Sequence, residues 1–173
     1  MTTRQALTLL LMLATFSVAH AQAKFLEKTG GHCFQMQVPN YMLKTYELND
    51  VASLQYLNTA KEAYVVVIDD SKEELESKGI KFTDAEDFLA DFATDYKKEA
   101  KKRKMSKVST ATVNGNAVAD VELTWKDEDG NFYMLITAVE TKTHFYKILC
   151  WTTEANVKLL KEDYKTMARS IRD

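Results

Sequence analysis

KVSTATVNGNAVADVELTWKDEDGNFYMLITAVETKTHFYKILCW, Lys107–Trp151, decides the fold. Apolar and polar residues alternate through Lys107–Val113 and Ala117–Trp125, with Asn114-Gly115 between the two runs. Both turn residues tolerate positive φ, as a tight hairpin requires, so the two runs are antiparallel neighbours. Lys126–Asn131 reads as a loop, and Phe132–Glu140 and His144–Trp151 read as two further strands. The four strands form a meander, and the pattern on both sides of it must supply layers to cover its faces. Downstream, Val157, Leu160, Tyr164, Met167, Ala168 and Ile171 make one apolar stripe, which predicts a helix over Glu154–Ile171 that needs a sheet face to cover it.

Upstream, Ala85, Phe88, Leu89, Phe92, Ala93, Tyr96 and Ala100 fall at helical spacing. Thr83-Asp84-Ala85-Glu86 matches a capping box, in which Thr and Glu satisfy each other's free amides, and the basic residues that follow suit a helix C-terminus. Ser71–Lys78 reads as a short helical turn ended by Gly79. AYVVVID, Ala63–Asp69, is a continuous β-branched run expected of a strand covered on both faces. Met42–Tyr46 and Ala52–Leu57 are shorter strand candidates. His32–Val38 alternates, with Phe34, Met36 and Val38 on one face, and ends at Pro39-Asn40, while the residues before it read as a polar lead-in. The fold class is α+β, an antiparallel β-sheet flanked by helices.

The first residues, MTTRQALTLLLMLATFSVAHAQ, carry one cation (Arg4), an apolar stretch from Ala6 to Val18 and then Ala19-His20-Ala21. That is the layout of a cleavable secretory signal peptide, residues 1–21, and the apolar stretch is short of the roughly 20 residues that cross a bilayer. No Cys stands at the cleavage point to take a lipid, so no membrane span or anchor is expected after processing, and the mature chain is expected in the periplasm or secreted. Cleavage leaves 173 minus 21, or 152 residues, 22–173, a length that fits one domain. The chain has 23 Lys and Arg against 25 Asp and Glu, and loss of Arg4 leaves 22 against 25. A chain so nearly balanced has no global attraction for nucleic acid.

Candidate chemistry is sparse. Cys33 and Cys150 are the two cysteines, and an oxidising compartment leaves open either a disulfide between them or two independent buried thiols. A Cys/His nucleophilic site would draw on His32, His144, Cys33 and Cys150, but His32 and Cys33 are adjacent on a strand and point to opposite faces. Asp127-Glu128-Asp129-Gly130-Asn131 gathers carboxylates as a calcium loop does. Its Gly stands fourth rather than sixth and no Glu closes it, so a hairpin turn is the preferred reading. The run Lys97–Lys104 places Lys97, Lys98, Lys101, Lys102, Arg103 and Lys104 together. It is the best surface candidate for an anionic partner, set against a solvated helix end whose cations stabilise terminal carbonyls. Trp125, Phe132, Tyr133, Phe145, Tyr146 and Trp151 crowd the second half and read chiefly as core. No Gly-rich phosphate loop, nucleophile elbow or paired metal-ligand motif occurs, and no cofactor is implied.

The order of elements resembles the PsbP-like family of α/β/α sandwiches. The residues that carry the resemblance are Val38-Pro39 closing a strand, Gly130-Asn131-Phe132-Tyr133 in a hairpin, Tyr146-Lys147-Ile148 in an aromatic strand, and a last helix that starts after Thr152-Thr153-Glu154 and ends near Ser170-Ile171. The likeness spans nearly all of 22–173 and implies the fold. It implies a binding or accessory domain rather than an enzyme, and carries no metal or catalytic residue across. The expected function is therefore an exported, non-catalytic accessory domain that binds an unidentified protein partner through a sheet edge or the basic run. The alternative is a carrier or sensor of a small apolar ligand in a sheet-helix cleft, which an apolar pocket of about 300 Å³ or more would favour.

Overall fold

The computed structural model describes residues 23–31 and 34–173. The signal peptide read at 1–21, His32 and Cys33 lie outside the described residues.

The chain opens with a hairpin of β1 (Phe25–Gly30) and β2 (Phe34–Pro39), followed by β3 (Leu43–Lys44), β4 (Leu54–Asn58) and β5 (Ala63–Ser71). Helices α1 (Lys72–Ser77) and α2 (Ala85–Ala93) come next. Strands β6 (Lys101–Met105), β7 (Ser109–Val113), β8 (Asn116–Lys126), β9 (Asn131–Glu140) and β10 (His144–Thr153) lead to α3 (Val157–Ala168). Strands β3 to β10 make one sheet in the order β3-β4-β5-β10-β9-β8-β6, with β7 also paired to β8. Every pairing is antiparallel. The meander is as expected: Asn114 and Gly115, at φ 54° and 81°, turn β7 into β8, and Val113 stands opposite Asn116.

The sheet has two covered faces. On one, α3 and β2 bury Phe34, Met36, Val38, Leu160, Tyr164, Met167 and Ile171 against Val65, Val67, Leu135, Ile148 and Cys150. On the other, α2 buries Phe88, Leu89 and Ala93 against Val66, Val121, Leu123, Ile136 and Leu149. Each large apolar side chain moved out of water stabilises the fold by roughly 1.5–3 kcal/mol, which makes these two layers the main source of stability. The α3 layer is also pinned by charge. Arg169 pairs with Asp120, whose other oxygen accepts from Thr137 Oγ1 at 2.6 Å, and Lys161 Nζ lies 2.7 Å from Glu122 Oε2.

Three expectations need correcting. The polar lead-in is strand β1, paired residue for residue with β2. Its exposed Leu26, Glu27 and Thr29 erase the apolar alternation that would have revealed it. Helix α2 ends at Ala93 rather than continuing toward Lys104, because the chain turns through 94–100 and reverses into β6. Phe92, Tyr96 and Ala100 still pack on the same core cluster, so the helical spacing outlasts the helix. The cap is also displaced by one residue: Asp84 is the N-cap and accepts from Asp87 N at 2.9 Å, while the Asp87 carboxylate accepts from Thr83 N at 2.9 Å. The short helix before it is as expected, with Ser71 capping its start and Gly79 at φ 73° closing its end.

Candidate binding surface at the basic edge of the sheet

The reversal after α2 turns the basic run into the outer edge of the sheet. Strand β6 pairs with β8 through Lys101 opposite Lys126, Lys104 opposite Thr124 and Met105 opposite Leu123, with a break in register between Lys101 and Lys104. At that bulge Lys102 has a left-handed backbone, φ 53°, as does Lys97 at φ 54° in the preceding turn. Left-handed conformations cost a non-glycine residue about 1 kcal/mol or more, and such strain gathers where a side chain must be aimed.

The bulge divides the six predicted basic residues into two groups. Arg103 turns inward. Its Nη2 donates to Ala93 O at 2.7 Å and Thr94 O at 3.3 Å, and its Nε to Tyr96 O at 3.0 Å. It therefore satisfies the free carbonyls at the end of α2, the role expected on sequence for the run as a whole. Lys98 is spent on an exposed pair with Asp95, 2.9 Å. Lys101, Lys102 and Lys104 are exposed, and among the described residues their ammonium groups make no ion pair or hydrogen bond. Lys97 lies over the Trp125 ring, 5.6 Å from its centre, and Trp125 is stacked on Phe132 at 5.3 Å. Lys101 stands directly across the ladder from Lys126, a like-charge pair that weakens the pairing unless an anion lies near.

Two open grooves flank this edge. One, of about 510 Å³, is lined by Lys102, Arg103, Lys104, Thr124, Phe132 and Glu154 among others. The second, of about 550 Å³, is lined by Lys97, Lys101, Lys102, Lys126 and the carboxylates of Glu99, Asp127 and Glu128. They share Lys102 and Trp125. Asp127 is committed within its own turn, where it accepts from Trp125 Nε1 at 3.2 Å and Asp129 N at 3.0 Å. The 127–131 segment is thus the hairpin turn preferred on sequence.

Of the cysteine and histidine candidates, Cys150 and His144 lie among the described residues, and these two do not converge. Cys150 is a free thiol, wholly buried, so the disulfide weighed with Cys33 is not among the described bonds. Burial, with a smaller contribution from the charge of Asp120, pushes that thiol up, away from the thiolate a nucleophile needs. His144 stands six residues away at the opposite end of β10, about 20 Å along the strand. Its surroundings escaped the sequence reading. Asp173 Oδ2 accepts from Thr141 Oγ1 at 2.7 Å, Thr143 Oγ1 at 3.0 Å and Tyr146 OH at 3.1 Å, with His144 Nδ1 at 3.9 Å. Thr143 Oγ1 and Asp173 both approach Nδ1 of the ring. Residues 30 positions apart, as Thr143 and Asp173 are, give no local motif from which to find this cluster. No group of three or more metal-type ligands occurs among the described residues, and no helix among them is long and apolar enough to cross a membrane.

Comparison with solved structures places this architecture. Cyanobacterial PsbP (CyanoP) from Synechocystis sp. PCC 6803 superposes with a TM-score of 0.61 at 12% identity, covering 89% of this chain and 95% of that one. LpqN, involved in cell envelope biogenesis of Mycobacterium tuberculosis, gives 0.59 at 12% identity, over 89% and 91%. A single-residue mutant of the protein Mog1 gives 0.55 at 10% identity, over 86% and 95%. No family model and no curated protein matches the sequence. The chain has the PsbP-like α/β/α fold, as its resemblance implied.

Proposed function

From that fold and the placement of its lysines, we propose that the protein is an exported, non-catalytic accessory domain that binds an acidic protein partner along the β6 edge. The observation that carries this reading is the group Lys97, Lys101, Lys102 and Lys104, held outward without carboxylate partners while Arg103 of the same run is used internally. The two surfaces considered on sequence, a sheet edge and a basic run, are one surface. Export rests on the leader at 1–21, and the role of LpqN in cell envelope biogenesis is consistent with it.

Binding is favoured over carriage of a small apolar ligand by where the space lies. The sheet-helix layers are filled by side chains from 0% to about 6% exposed, and the grooves that exceed 300 Å³, two beside β6 and one of about 420 Å³ between Asp84–Glu86 and β7–β8, are open clefts that carry charged side chains rather than enclosed apolar cavities. The test is native mass spectrometry of the protein recovered from its own envelope, beside a Lys101→Glu/Lys102→Glu/Lys104→Glu variant. A second polypeptide held by the unaltered protein at low salt, and lost both in 0.5 M salt and in the variant, is expected. A partner retained by the variant, or an added mass of a few hundred daltons in its place, defeats the reading.

A further inference from the structure

We infer that the partner contributes an extended acidic segment that adds as a strand to the β6–β7 edge, an inference that rests on the partner reading above. Three observations lead there. Strands β6 and β7 both pair with β8 on one side only, so Lys101–Met105 and Ser109–Val113 together form a boundary of the eight-stranded sheet. The backbone N–H and C=O groups on the outward side of such an edge are a template for a further strand. The chemistry of this edge then selects the occupant: Lys101, Lys102, Lys104 and Lys107 are all exposed along it, and Lys101 faces Lys126 across the ladder. Carboxylates on an incoming strand would add to those of Glu99, Asp127 and Glu128, which line the same groove, in relieving that repulsion. The two grooves meet at Lys102 and Trp125, so a strand laid beside β6 sends alternate side chains into one and the other. Lysines outnumber carboxylates in each, Lys102 and Lys104 against Glu154 in one and Lys97, Lys101, Lys102 and Lys126 against Glu99, Asp127 and Glu128 in the other, so the expected segment is extended and acidic on both faces near Lys101–Lys104. The neighbouring edge of β7, with exposed Ser109, Thr110 and Thr112, tolerates neutral polar or β-branched residues.

Edge lysines and bulges also serve to repel strands, and that is the rival use of the same features. The two uses predict opposite results with one pair of probes. Two capped ten-residue peptides built on the repeat Glu-Glu-Thr-Thr, which puts acids on both faces of a strand, are compared, identical except that the second is N-methylated at alternate residues so that one edge can donate no hydrogen bonds. Binding is read by chemical-shift perturbation and amide exchange of the isotope-labelled protein at low salt. Strand addition predicts saturable binding of the unmethylated peptide, new exchange protection at amides of β6 or β7, and at least about tenfold weaker binding after methylation, as expected from losing several backbone hydrogen bonds. Equal binding of both peptides, without new protection, overturns strand addition and leaves the acidic-partner reading standing. Failure of both peptides to bind overturns both. The Lys101→Glu/Lys102→Glu/Lys104→Glu variant must lose the unmethylated peptide while keeping its own unfolding midpoint; retained binding in that variant overturns both readings as well.

Discussion

At the scale of single residues, Arg103 and Lys104 are neighbours with opposite fates. Arg103→Ala removes the donor to Ala93, Thr94 and Tyr96 and leaves carbonyls at the end of α2 short of partners, so it should destabilise by about 1–3 kcal/mol in urea unfolding. Lys104→Glu should stay within about 0.5 kcal/mol of the unaltered protein, since its exposed side chain makes no hydrogen bond or ion pair among the described residues, and should act on binding alone. Arg169→Ala strands Asp120, whose side chain is only 8% exposed, without its cation, and the expected loss is about 3 kcal/mol. Asp173 supplies a pH dependence of known sign. Partial burial raises its carboxyl, but hydrogen bonds from Thr141, Thr143 and Tyr146, with His144 near, outweigh this and hold it below the usual carboxylate range. Its stabilising contribution is therefore present above the unfolded value of about 4 and disappears as pH falls through the lower folded one. Asp173→Asn should lower stability at pH 7 by about 1 kcal/mol, discounted for solvent, and the gap between the two proteins should close below about pH 4 in parallel urea titrations.

At the scale of elements, what the sequence shows and what it hides have the same cause, since apolar period reports burial rather than backbone shape. Strands β8, β9 and β10 announce themselves because Asn114-Gly115 fixes a turn and the runs beside it are buried. The end of α2 is hidden because Phe92, Tyr96 and Ala100 continue on the core after the helix has stopped. Strand β6 is hidden because Lys, Lys, Arg, Lys and Met carry no strand propensity, and tertiary pairing with β8 overrides it. The basic residues of the site were thus legible by composition, but their division into outward lysines and an inward arginine depends on a bulge that no local motif encodes. That bulge makes its own prediction. Lys102→Gly relieves a left-handed backbone and should raise stability by up to about 1 kcal/mol in thermal unfolding, whereas a fall of that size would mean the Lys102 side chain contributes contacts that outweigh its strain.

At the scale of the molecule, the two ends of the described chain are tied to one another as well as to the sheet. The β1–β2 hairpin is a sheet of its own and joins the domain through the apolar face of β2, through Gln37 N donating to Ser170 Oγ at 2.8 Å, and through Gln35 and Arg172, which exchange backbone bonds at 2.8 and 3.1 Å. Ile171, 1% exposed, packs in the same cluster, and Asp173 fastens the segment to the turn before β10. Removing residues 171–173 should therefore release the hairpin before the sheet. Native-state hydrogen exchange makes the distinction, because β8, β9 and β10 are bonded on both sides and should open only with global unfolding, whereas β1 has a single partner strand. The expected result is a loss of protection in Leu26–Gly30 and Gln35–Val38 on the order of 100-fold beyond any loss at Leu135 and Ile148, about 2.7 kcal/mol of local stability. An equal loss at all of these amides would show that the hairpin and the sheet unfold as one unit and that 171–173 stabilise the whole domain evenly.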